Sequence, residues 1–449
     1  MQATAILLAA GLGTRMKSAL PKTLHKIAGR SMLRHLIASC EAAFDRIVVA
    51  LGPDMDPVAK EAAPHVCVIQ HERLGTGHAA SQAMEHFGSG EIAVLYADNP
   101  LIRPDTLRRL LDRRRAGDAG LALLAFRPAD PARYGRVIAP HGHVERIVEW
   151  ADATESERAI ELCNAGVLCA GAADMARWLM AVRADNPKGE YYLTEVVALA
   201  RSEQVRVAAV EAPADELSGI NSRVELAAAE ATVQGWLRHA AMEAGVTMID
   251  PSSVFLRADT AFEPDVTIEP NVVFGDGVTV ARGAMIRAFS HLDGCAVGPN
   301  CIVGPFARLR PGTVLERDVH IGNFVEVKAT TLGAGVKANH LTYLGDASVG
   351  AGTNIGAGTI TCNYDGYDKH RTTIGADAFI GSDVALVAPV SVGDGAIVGA
   401  GSVITEDVPP HALAIARGKQ THKPDWAAGF HATKAHAAPP RATKPRSRG

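Results

Sequence analysis

Residues 374–404, IGADAFIGSDVALVAPVSVGDGAIVGAGSVI, place an aliphatic side chain at every sixth position. These positions are Ile374, Ile380, Leu386, Val392, Val398 and Ile404. The same apolar period runs through 268–286 and 297–327. A period of six suits a short strand followed by a tight turn, three of which close one triangular coil of a parallel β-helix. We therefore predict a left-handed parallel β-helix of hexapeptide repeats. A β-sandwich is the less favoured alternative, because its strands would alternate polar and apolar residues at irregular spacing.

The rest of the chain predicts a second domain and a tail. Residues 1–225 alternate apolar strands with helical stretches, which predicts an α/β Rossmann-like domain with a mainly parallel sheet covered on both faces. Residues 226–249, rich in Ala, Glu and Leu, predict a linker helix. The hexads define a β-helix domain at 250–423, and the basic residues 424–449 predict a disordered tail. Within the hexads, the polar stretch 361–373 (TCNYDGYDKHRTT) predicts a loop that leaves the coil.

Composition limits the possible partners and compartments. The formal net charge of −4 gives no general reason to expect nucleic acid as a partner. The longest apolar stretch, 5–10, is too short to span a membrane and lacks a basic leading region, so we expect neither membrane insertion nor a signal peptide. The seven cysteines include no CxxC pair, which favours a reducing compartment without structural zinc. We expect a cytoplasmic protein.

A glycine-rich loop, LAAGLGTRM (8–16), follows the first predicted strand. Glycines at a strand-to-helix turn let backbone N–H groups approach phosphates, and Arg15 adds positive charge. A Walker loop and a dinucleotide fingerprint would both need glycine where Met16 stands, so the loop matches neither. On this local pattern the loop indicates a phosphate site, and a tight turn that serves only packing is the alternative.

The loop and the motifs after it resemble the signature of sugar-nucleotide pyrophosphorylases. The matches, in chain order, are LAAGLGTRMKSALPKTLHKIAGR (8–30), Gln70, LGTGHA (74–79), YAD (96–98), YGR (134–136), Glu149, NAG (164–166) and GINSR (219–223). With the coil motifs described below, the set resembles the bifunctional N-acetylglucosamine-1-phosphate uridyltransferase/glucosamine-1-phosphate N-acetyltransferase family over nearly all of residues 1–420. The resemblance implies a nucleotidyltransferase domain and an acetyltransferase domain, with Mg²⁺ as cofactor and with UTP and acetyl-CoA as co-substrates.

The implied uridyltransferase reaction needs charge more than a base. An oxygen of the sugar phosphate attacks the α-phosphorus of UTP and pyrophosphate leaves, so positioning and charge neutralisation carry most of the catalysis. By resemblance, Arg15 and Lys22 hold the triphosphate and act in catalysis. Asp98 and Asn221 are implied to hold Mg²⁺ through oxygen ligands. The residues implied to bind UTP and UDP-N-acetylglucosamine are Leu8, Gly11, Gly13, Lys22, Gln70 and Gly75 (these two for uracil), Thr76, Gly135, Glu149 and Asn164 (these four for the sugar), and Asn221.

Four positions depart from the family pattern. Ala97 stands where glycine is usual, and its methyl group is expected to narrow the nucleotide site slightly. Asn99 is unusual after the aspartate, Glu195 stands where aspartate is usual, and Leu12 replaces a common lysine. None of them removes a phosphate or metal group, so the predicted reaction type is unchanged.

Bulky polar groups interrupt the hexads at RLRPG (308–312), NFVEVK (323–328) and NHLTYLGD (339–346), and we expect them to project outward from the narrow aliphatic coil. By resemblance, His340 is the general base that takes a proton from the attacking amine, with Glu326 as its orienting group. Taken alone, His340 would be a surface histidine at a coil corner. The residues implied to bind glucosamine-1-phosphate are Arg310, Lys328, Tyr343, Asn354 and Lys369. Those implied to bind acetyl-CoA are Ala357, Asn363, Tyr364, Ser382, Ala400 and Arg417.

The resemblance implies a homotrimer with the acetyltransferase site shared between subunits. Glucosamine-1-phosphate would be acetylated first and then joined to UMP, giving UDP-N-acetylglucosamine, a precursor of bacterial envelope polysaccharides such as peptidoglycan and lipopolysaccharide. One alternative is a single-activity sugar-1-phosphate nucleotidyltransferase with a structural β-helix. Another is a structural or sensing protein that binds nucleotides without turnover, but retention of Lys22, Asp98 and Asn221 argues against it.

Overall fold

The computed structural model describes residues 2–131, 134–186 and 188–437. The chain folds into two compact units, Met1–Pro311 and Gly312–Gly449. The boundary lies inside the hexad repeats and not at the predicted linker helix. The first coils therefore belong to the same compact unit as the N-terminal domain.

The N-terminal domain is built on a mixed β-sheet. Its strands, with those of one separate hairpin (β2 and β3), are β1 (Ala3–Leu8), β2 (Lys26–Ile27), β3 (Arg30–Ser31), β4 (Arg46–Leu51), β5 (Val66–Ile69), β6 (Glu91–Tyr96), β7 (Leu121–Phe126), β8 (Arg136–Ile138), β9 (Arg146–Val148), β10 (Cys163–Gly171) and β11 (Val207–Glu211). The sheet order is β11-β7-β10-β6-β1-β4-β5, and β8 pairs with β10 and β9. The strands β6-β1-β4-β5 and the pair β11-β7 are parallel, as predicted. Strand β10 runs antiparallel between β6 and β7, which the sequence pattern did not predict.

Helices cover both faces of this sheet. They are α1 (Met32–Glu41), α2 (Asp56–Ala62), α3 (Thr76–Ser81), α4 (Pro104–Arg115), α5 (Glu155–Arg158), α6 (Ala172–Ala181), α7 (Glu195–Ser202), α8 (Ala214–Leu217) and α9 (Arg223–Glu243), with 3-10 helices at Thr14–Met16, Lys22–Leu24, Met84–His86, Pro140–Gly142 and Pro251–Ser253. Successive strand side chains point to opposite faces. Leu7 and Leu95 therefore enter one hydrophobic core, and Ile6 and Val94 enter the other. The predicted Rossmann-like α/β domain is confirmed.

Helix α9, predicted as a linker, is packed on one side. Glu230 Oε2 accepts a hydrogen bond from Ala28 N (2.7 Å) in the β2–β3 hairpin. Gln234 makes a reciprocal pair with the backbone of Leu256, donating to its O (2.7 Å) and accepting from its N (2.9 Å). Helix α9 thus fastens the first coil to the hairpin, which explains why the compact-unit boundary comes later in the chain.

The hexad region consists of short strands separated by tight turns. In the first unit they are Thr247–Met248, Ala261–Phe262, Thr267–Ile268, Val273–Phe274, Thr279–Val280, Met285–Ile286, His291–Leu292, Cys295–Val297, Ile302–Val303 and Arg308–Leu309. In the second they are Thr313–Leu315, His320–Asn323, Glu326–Lys328, Thr331–Leu332, Lys337–His340, Tyr343–Gly345, Ala347–Val349, Asn354–Ile355, Ile360–Cys362, Thr372–Ile374, Phe379–Ile380, Ala385–Val387, Val390–Val392, Ile397–Val398, Val403–Ile404 and Leu413–Ala414.

Within each unit these strands stack in parallel into three sheets, the faces of a triangular coil. The six hexad side chains between Ile374 and Ile404 are at most 5% exposed, so the period marks the core positions. The hexapeptide repeats and parallel stacking agree with the left-handed parallel β-helix that the period predicts.

The predicted loop is visible as a change in coil length. Phe379 pairs with Ile397, which follows it after three full hexads. On its other side Phe379 pairs with Asn354, and the chain between these two is longer than three hexads. The extra length is the segment 363–371, which leaves the coil between two strands. Tyr367 on this segment is 93% exposed, so the loop projects into solvent as expected.

The C-terminal segment differs from the predicted disordered tail. Trp426–Ala437 form a helix, α10, whose described side chains are exposed. Alanine supplies five of its twelve residues and proline none, so intrinsic helix propensity accounts for it. The remainder of the predicted tail, 438–449, lies outside the described residues. In the described ranges, we find no helix with the length and apolar character needed to cross a membrane.

Candidate active sites

The glycine loop after β1 brings two predicted cationic residues to one place. Gly13 has φ 61, and a Cβ added there would lie 2.5 Å from Lys22 Cβ. Only glycine combines this left-handed backbone with so close an approach. The 3-10 helix Thr14–Met16 begins at the next residue and carries Arg15.

Four predicted residues form one connected polar cluster. Lys22 Nζ lies 2.6 Å from Asp98 Oδ2 and 3.0 Å from Asn221 Oδ1. Arg15 Nη2 donates to the same Asn221 oxygen at 2.8 Å. The backbone fixes this arrangement, because Ile220 N donates to Asp98 O (2.8 Å). The Lys22–Asp98 pair is largely shielded from solvent, which strengthens it relative to a surface ion pair.

The oxygens of Asp98 and Asn221 converge on a single cation, the Lys22 ammonium group. Within the described residues, no group of three or more His, Cys, Asp or Glu side chains is placed to hold a metal ion. A metal here would therefore take one carboxylate oxygen, one amide oxygen and oxygens from outside the chain. That donor set fits Mg²⁺, which keeps several waters and binds substrate phosphates.

A cavity of about 410 Å³ opens beside this cluster. The predicted residues that line it are Leu8, Gly11, Lys22, Gln70, Gly75, Thr76, Asp98 and Glu149. Two others lie behind its wall. Asn164 N donates to Gly135 O (2.8 Å), and a Cβ added at Gly135 would lie 3.6 Å from a Glu149 carboxylate oxygen. The structure thus brings the predicted nucleotide and sugar residues to one cavity.

The LGTGHA segment is docked on the backbone of Tyr191. Gly77 N donates to Tyr191 O (2.7 Å), and Tyr191 N donates to Leu74 O (2.7 Å). Between them Gly75 has φ 116, and a Cβ there would lie 2.6 Å from Tyr191 O. The buried Gln70 amide donates to Gly75 O (3.0 Å). This part of the cavity wall is therefore held rigidly by backbone contacts.

Glu149 is a half-buried acid in the cavity wall and not a solvated edge charge. Burial raises the pKa of its carboxyl, although Thr194 Oγ1 donates to it at 3.2 Å. Thr76 is fixed next to it in the wall by accepting from Leu193 N (3.0 Å). A half-buried carboxyl with a raised pKa inside a cavity is typical of a binding site.

Nine cavity residues were not predicted as site residues, among them Arg73, Lys188, Glu190 and Tyr192. Arg73 Nε donates to Ala10 O (2.8 Å), so it ties the LGTGHA segment to the glycine loop. The last three lie in the segment 188–192, whose charged and tyrosine residues were a visible signal that sequence reasoning did not use.

The structure corrects the expected effect of Ala97. Its side chain is 1% exposed and packs in a hydrophobic core, so its methyl group does not narrow the cavity. Tyr96 and Asp98 line that cavity, and alternation along the chain sends Ala97 to the other side. Leu12 is exposed and Glu195 begins α7.

In the second unit, His340 stands on the outer face of the coil. It pairs in register with Asn323 on the neighbouring strand, and its Nδ1 lies 3.0 Å from Asn323 Oδ1. The group that orients the ring within the chain is thus Asn323, whereas Glu326 is in register with Tyr343 on another face. The coil from Asn323 to His340 is one residue shorter than three full hexads, and this length determines which side chain lies beside the histidine.

Three of the residues predicted to bind the sugar phosphate meet around one carboxylate. Lys328 Nζ lies 3.6 Å from Asp346 Oδ2, and the Lys369 side chain contacts Lys328. Asn363 donates to the same carboxylate, and its Nδ2 lies 3.5 Å from Tyr343 OH. Two lysines against one acid leave positive charge for an anion. Asn363, predicted to bind acetyl-CoA, lies with this group.

Residues predicted to bind acetyl-CoA follow His340 along one corner of the coil. Each coil is connected to the next by a hydrogen bond to a carbonyl oxygen. The donors and acceptors are Gly358 N to His340 O (3.4 Å), Asp383 N to Ala357 O (2.7 Å), Gly401 N to Ser382 O (2.8 Å) and Arg417 Nη1 to Ala400 O (2.5 Å). We call His340, Ala357, Ser382, Ala400 and Arg417 the corner ladder.

Tyr364, Asn354 and Arg310 are the other predicted residues of this domain. Tyr364 is on the exposed loop, where its hydroxyl donates to Gly366 O (2.5 Å). Asn354 is in register with Lys337, one strand along from the pair that holds His340. Arg310 belongs to the first compact unit.

Comparison with known proteins gives consistent matches in both halves of the chain. Residues 5–161 match the MobA-like NTP transferase domain family, and residues 371–406 match the bacterial transferase hexapeptide (six repeats) family. A protein of Acidiphilium cryptum (strain JF-5) named bifunctional protein GlmU is 64% identical over 434 residues, covering 97% of this chain and 99% of that protein. Proteins of the same name from Granulibacter bethesdensis (65% identical, 95% of each chain covered) and Paramagnetospirillum magneticum (53% identical, 96% and 97% covered) also match.

Among solved structures, a UDP-glucose pyrophosphorylase complexed with UDP-glucose aligns with 17% identity and a TM-score of 0.44, covering 53% of this chain and 100% of that chain. The assignment to a family rests on the full-length relatives and not on this likeness.

Proposed function

The chain belongs to the bifunctional GlmU family and carries both a uridyltransferase and an acetyltransferase function, and we propose the residues, metal and assembly through which it makes UDP-N-acetylglucosamine. The observation that supports the proposal most is that each compact unit holds its own polar site. One is the Lys22–Asp98–Asn221 cluster and the other is His340 on its coil corner. An inert, purely structural β-helix is not favoured, because the bifunctional relatives match along nearly their whole length.

In the uridyltransferase site, Arg15 and Lys22 receive the triphosphate of UTP. Mg²⁺ held by Asp98 and Asn221 would supply further neutralisation of the phosphate charge. Lys22 then exchanges its carboxylate partner for phosphate oxygens, which its flexible stem allows. An oxygen of N-acetylglucosamine-1-phosphate attacks the α-phosphorus, the bond to the β-phosphate oxygen breaks, and pyrophosphate leaves. No strong base is needed, since the attacking oxygen is already anionic.

Contacts within the cavity wall support a separate place for each end of the product. Gly75, packed against the Tyr191 backbone, and Gln70, whose amide donates to Gly75 O, contact uracil. On the sugar side lie Thr76 and Glu149 in the wall, with Gly135 and Asn164 directly behind it. Hydrogen-bonding groups fixed by backbone contacts favour an N-acetylated sugar because an analogue without those groups would leave them unpaired.

In the acetyltransferase site, His340 acts as the general base. If its Nδ1–H donates to Asn323 Oδ1, the lone pair of Nε2 faces outward and accepts the proton of the attacking amine. The amine nitrogen bonds to the thioester carbon, the C–S bond breaks, and CoA leaves with the electron pair. Lys328 and Lys369 bind the sugar phosphate, and acetyl-CoA lies along the corner ladder.

The assembly is a cytoplasmic homotrimer whose acetyltransferase sites are shared between subunits. Support comes from the resemblance of the coil motifs and from the exposed loop that carries Tyr364, which offers a surface to a neighbouring copy. The product serves as a precursor of bacterial envelope polysaccharides.

The test combines the purified chain with glucosamine-1-phosphate, acetyl-CoA, UTP and Mg²⁺, followed by mass spectrometry. We expect UDP-N-acetylglucosamine, free CoA and pyrophosphate. If the chain gives no product and no pyrophosphate from N-acetylglucosamine-1-phosphate and UTP, it is a binding protein without turnover and the uridyltransferase proposal fails.

The variant His340→Ala separates the two activities. We expect acetyl transfer to fall about 10²- to 10⁴-fold, as for loss of a general base, while uridyl transfer to supplied N-acetylglucosamine-1-phosphate is unchanged. His291→Ala is the matched control, because His291 is an exposed strand histidine on a coil of the first unit. Unchanged acetyl transfer by His340→Ala would remove this histidine from the mechanism.

A further inference from the structure

We propose that Asn99 is a positioning residue of the uridyltransferase site, an inference that rests on the function proposed for that site. Its side-chain amide joins three segments, and each segment carries one residue assigned to ligand or metal. These are Asp98 at the end of β6, Asn164 in β10 and Asn221 before α9.

The contacts of Asn99 are those of a buried connector. The residue is 4% exposed, and its Nδ2 donates to Ala165 O (2.6 Å) and Leu217 O (3.3 Å). Its Oδ1 lies 3.0 Å from the position that a Cβ on Gly219 would occupy, so the third segment packs directly against the amide. An amide NH₂ is the one small uncharged side-chain group that can satisfy two carbonyls at once.

A break in strand pairing explains why a side chain is needed here. The register of β10 with β7 shifts between Asn164 and Leu168, and Ala165 falls inside the shift. Gly166 in the same break has φ 72 and packs against the Tyr96 ring, which would lie 2.3 Å from an added Cβ. At such a bulge the ladder leaves backbone groups unpaired, and a buried carbonyl without a donor costs about 1–3 kcal/mol.

The consequence is a fixed spacing of the reacting groups. The hydrogen bond from Asn99 to Ala165 O joins the residue that follows Asp98 to the residue that follows Asn164. The second acceptor, Leu217, lies shortly before Asn221. Together with the hydrogen bond from Ile220 N to Asp98 O, the amide therefore fixes how far the oxygens of Asp98 and Asn221 stand apart, and it links Asp98 to the segment that carries the sugar residue Asn164. Supports of metal and substrate ligands act on affinity and rate through such geometry.

Asn99→Leu removes both donors at nearly constant volume. We expect kcat/KM for N-acetylglucosamine-1-phosphate to fall about 10- to 100-fold, with a higher Mg²⁺ requirement, while acetyl transfer by the same chain stays unchanged. Titration calorimetry with UDP-N-acetylglucosamine should show weaker binding, which reads the site without turnover. Gln234→Leu is the matched control, because it deletes another buried amide that bonds backbone, at the α9–coil contact. That variant should lose stability without a change in KM.

Asn99→Ser gives a second, independent reading. A hydroxyl supplies one donor where the amide supplies two, so it can satisfy only one of the two carbonyls of Ala165 and Leu217. We therefore expect its KM and its product affinity to lie between those of wild type and Asn99→Leu, with acetyl transfer unchanged. A purely structural role would lower the melting temperature without changing KM or product affinity.

Two results would overturn the proposal. One is a folded Asn99→Leu protein whose KM and product affinity stay within about twofold of wild type. The other, should that variant lose both activities together through misfolding, is a folded Asn99→Ser protein with the KM and product affinity of wild type. A wild-type chain that does not use UTP at all would instead refute the proposed function, and the calorimetric affinities would still report on Asn99.

Discussion

Replacing Gly75 with alanine should loosen the nucleotide cavity. Gly75 has φ 116 and ψ 176, a region that essentially only glycine adopts. The new Cβ would lie 2.6 Å from Tyr191 O and 2.7 Å from Tyr191 N. These two atoms make the hydrogen bonds to Gly77 N and Leu74 O, so the backbone of Tyr191 cannot retreat without breaking one of them.

The magnitude follows from these contacts. Backbone strain of this kind costs about 1–3 kcal/mol. Relief by displacing the LGTGHA segment breaks a backbone hydrogen bond, a further loss of about 1 kcal/mol. This total of about 2–4 kcal/mol appears partly as a lower free energy of unfolding and partly as weaker nucleotide binding. Each loss of about 1.4 kcal/mol in the binding free energy lowers the affinity about tenfold. We therefore expect UTP to bind at least about tenfold more weakly.

Titration calorimetry with UTP and Mg²⁺, with thermal unfolding run in parallel, measures both parts. Gly88→Ala is the matched control, because Gly88 also has a positive φ (69°) but an added Cβ would meet nothing within 4 Å. That variant should show only a modest loss of stability, about 1–2 kcal/mol, and wild-type UTP affinity. Equal UTP affinity in Gly75→Ala and Gly88→Ala would refute the reasoning from the Tyr191 contact.

Two further predictions concern buried groups in the two units. Burial raises the pKa of Glu149, so its ionisation destabilises the fold as pH rises through the folded-state pKa, and Glu149→Gln should melt higher than wild type at neutral pH. In thermal unfolding across pH this difference should vanish below the ordinary value of 4.5, and a constant difference would contradict the burial argument. Leu386→Ala, at a fully buried hexad position, should cost about 2–5 kcal/mol in urea unfolding. Val387→Ala, next to it and 37% exposed, should stay within about 0.5 kcal/mol, and equal losses would contradict the hexad core.

The fold was predictable where one local rule repeats. Each hexad aliphatic residue is a core position, so the period alone predicts the coil. The polar stretch 361–373 that breaks the period predicts a loop, which the structure limits to 363–371 because both ends of the stretch pair as strands. The antiparallel strand β10 was not predictable in this way, because its apolar residues are compatible with either direction. The packing of α9 likewise depends on a partner hairpin that is distant along the chain.

The candidate sites show which side-chain contacts motif spacing along the chain can predict and which it cannot. Motifs were enough to bring Lys22, Asp98 and Asn221 together. The contact of His340 with Asn323 was not predicted, because a coil one residue shorter than three full hexads decides which side chain lies beside the ring. The prediction that Ala97 borders the cavity followed the family motif and did not use the alternation of side-chain directions at the end of the strand.

The corner ladder fixes the distances between its residues along the axis of the β-helix. Each coil adds one strand spacing of about 4.8 Å, so three coils separate His340 from Ala400 by roughly 14 Å. An insertion at a corner, such as the loop at 363–371, leaves this scale unchanged because the strands on either side of it still pair in register. The reach from the histidine to Arg417 can thus change only in whole coils. With acetyl-CoA placed along the ladder as proposed, an acyl donor with a longer or shorter arm would require a coil to be gained or lost.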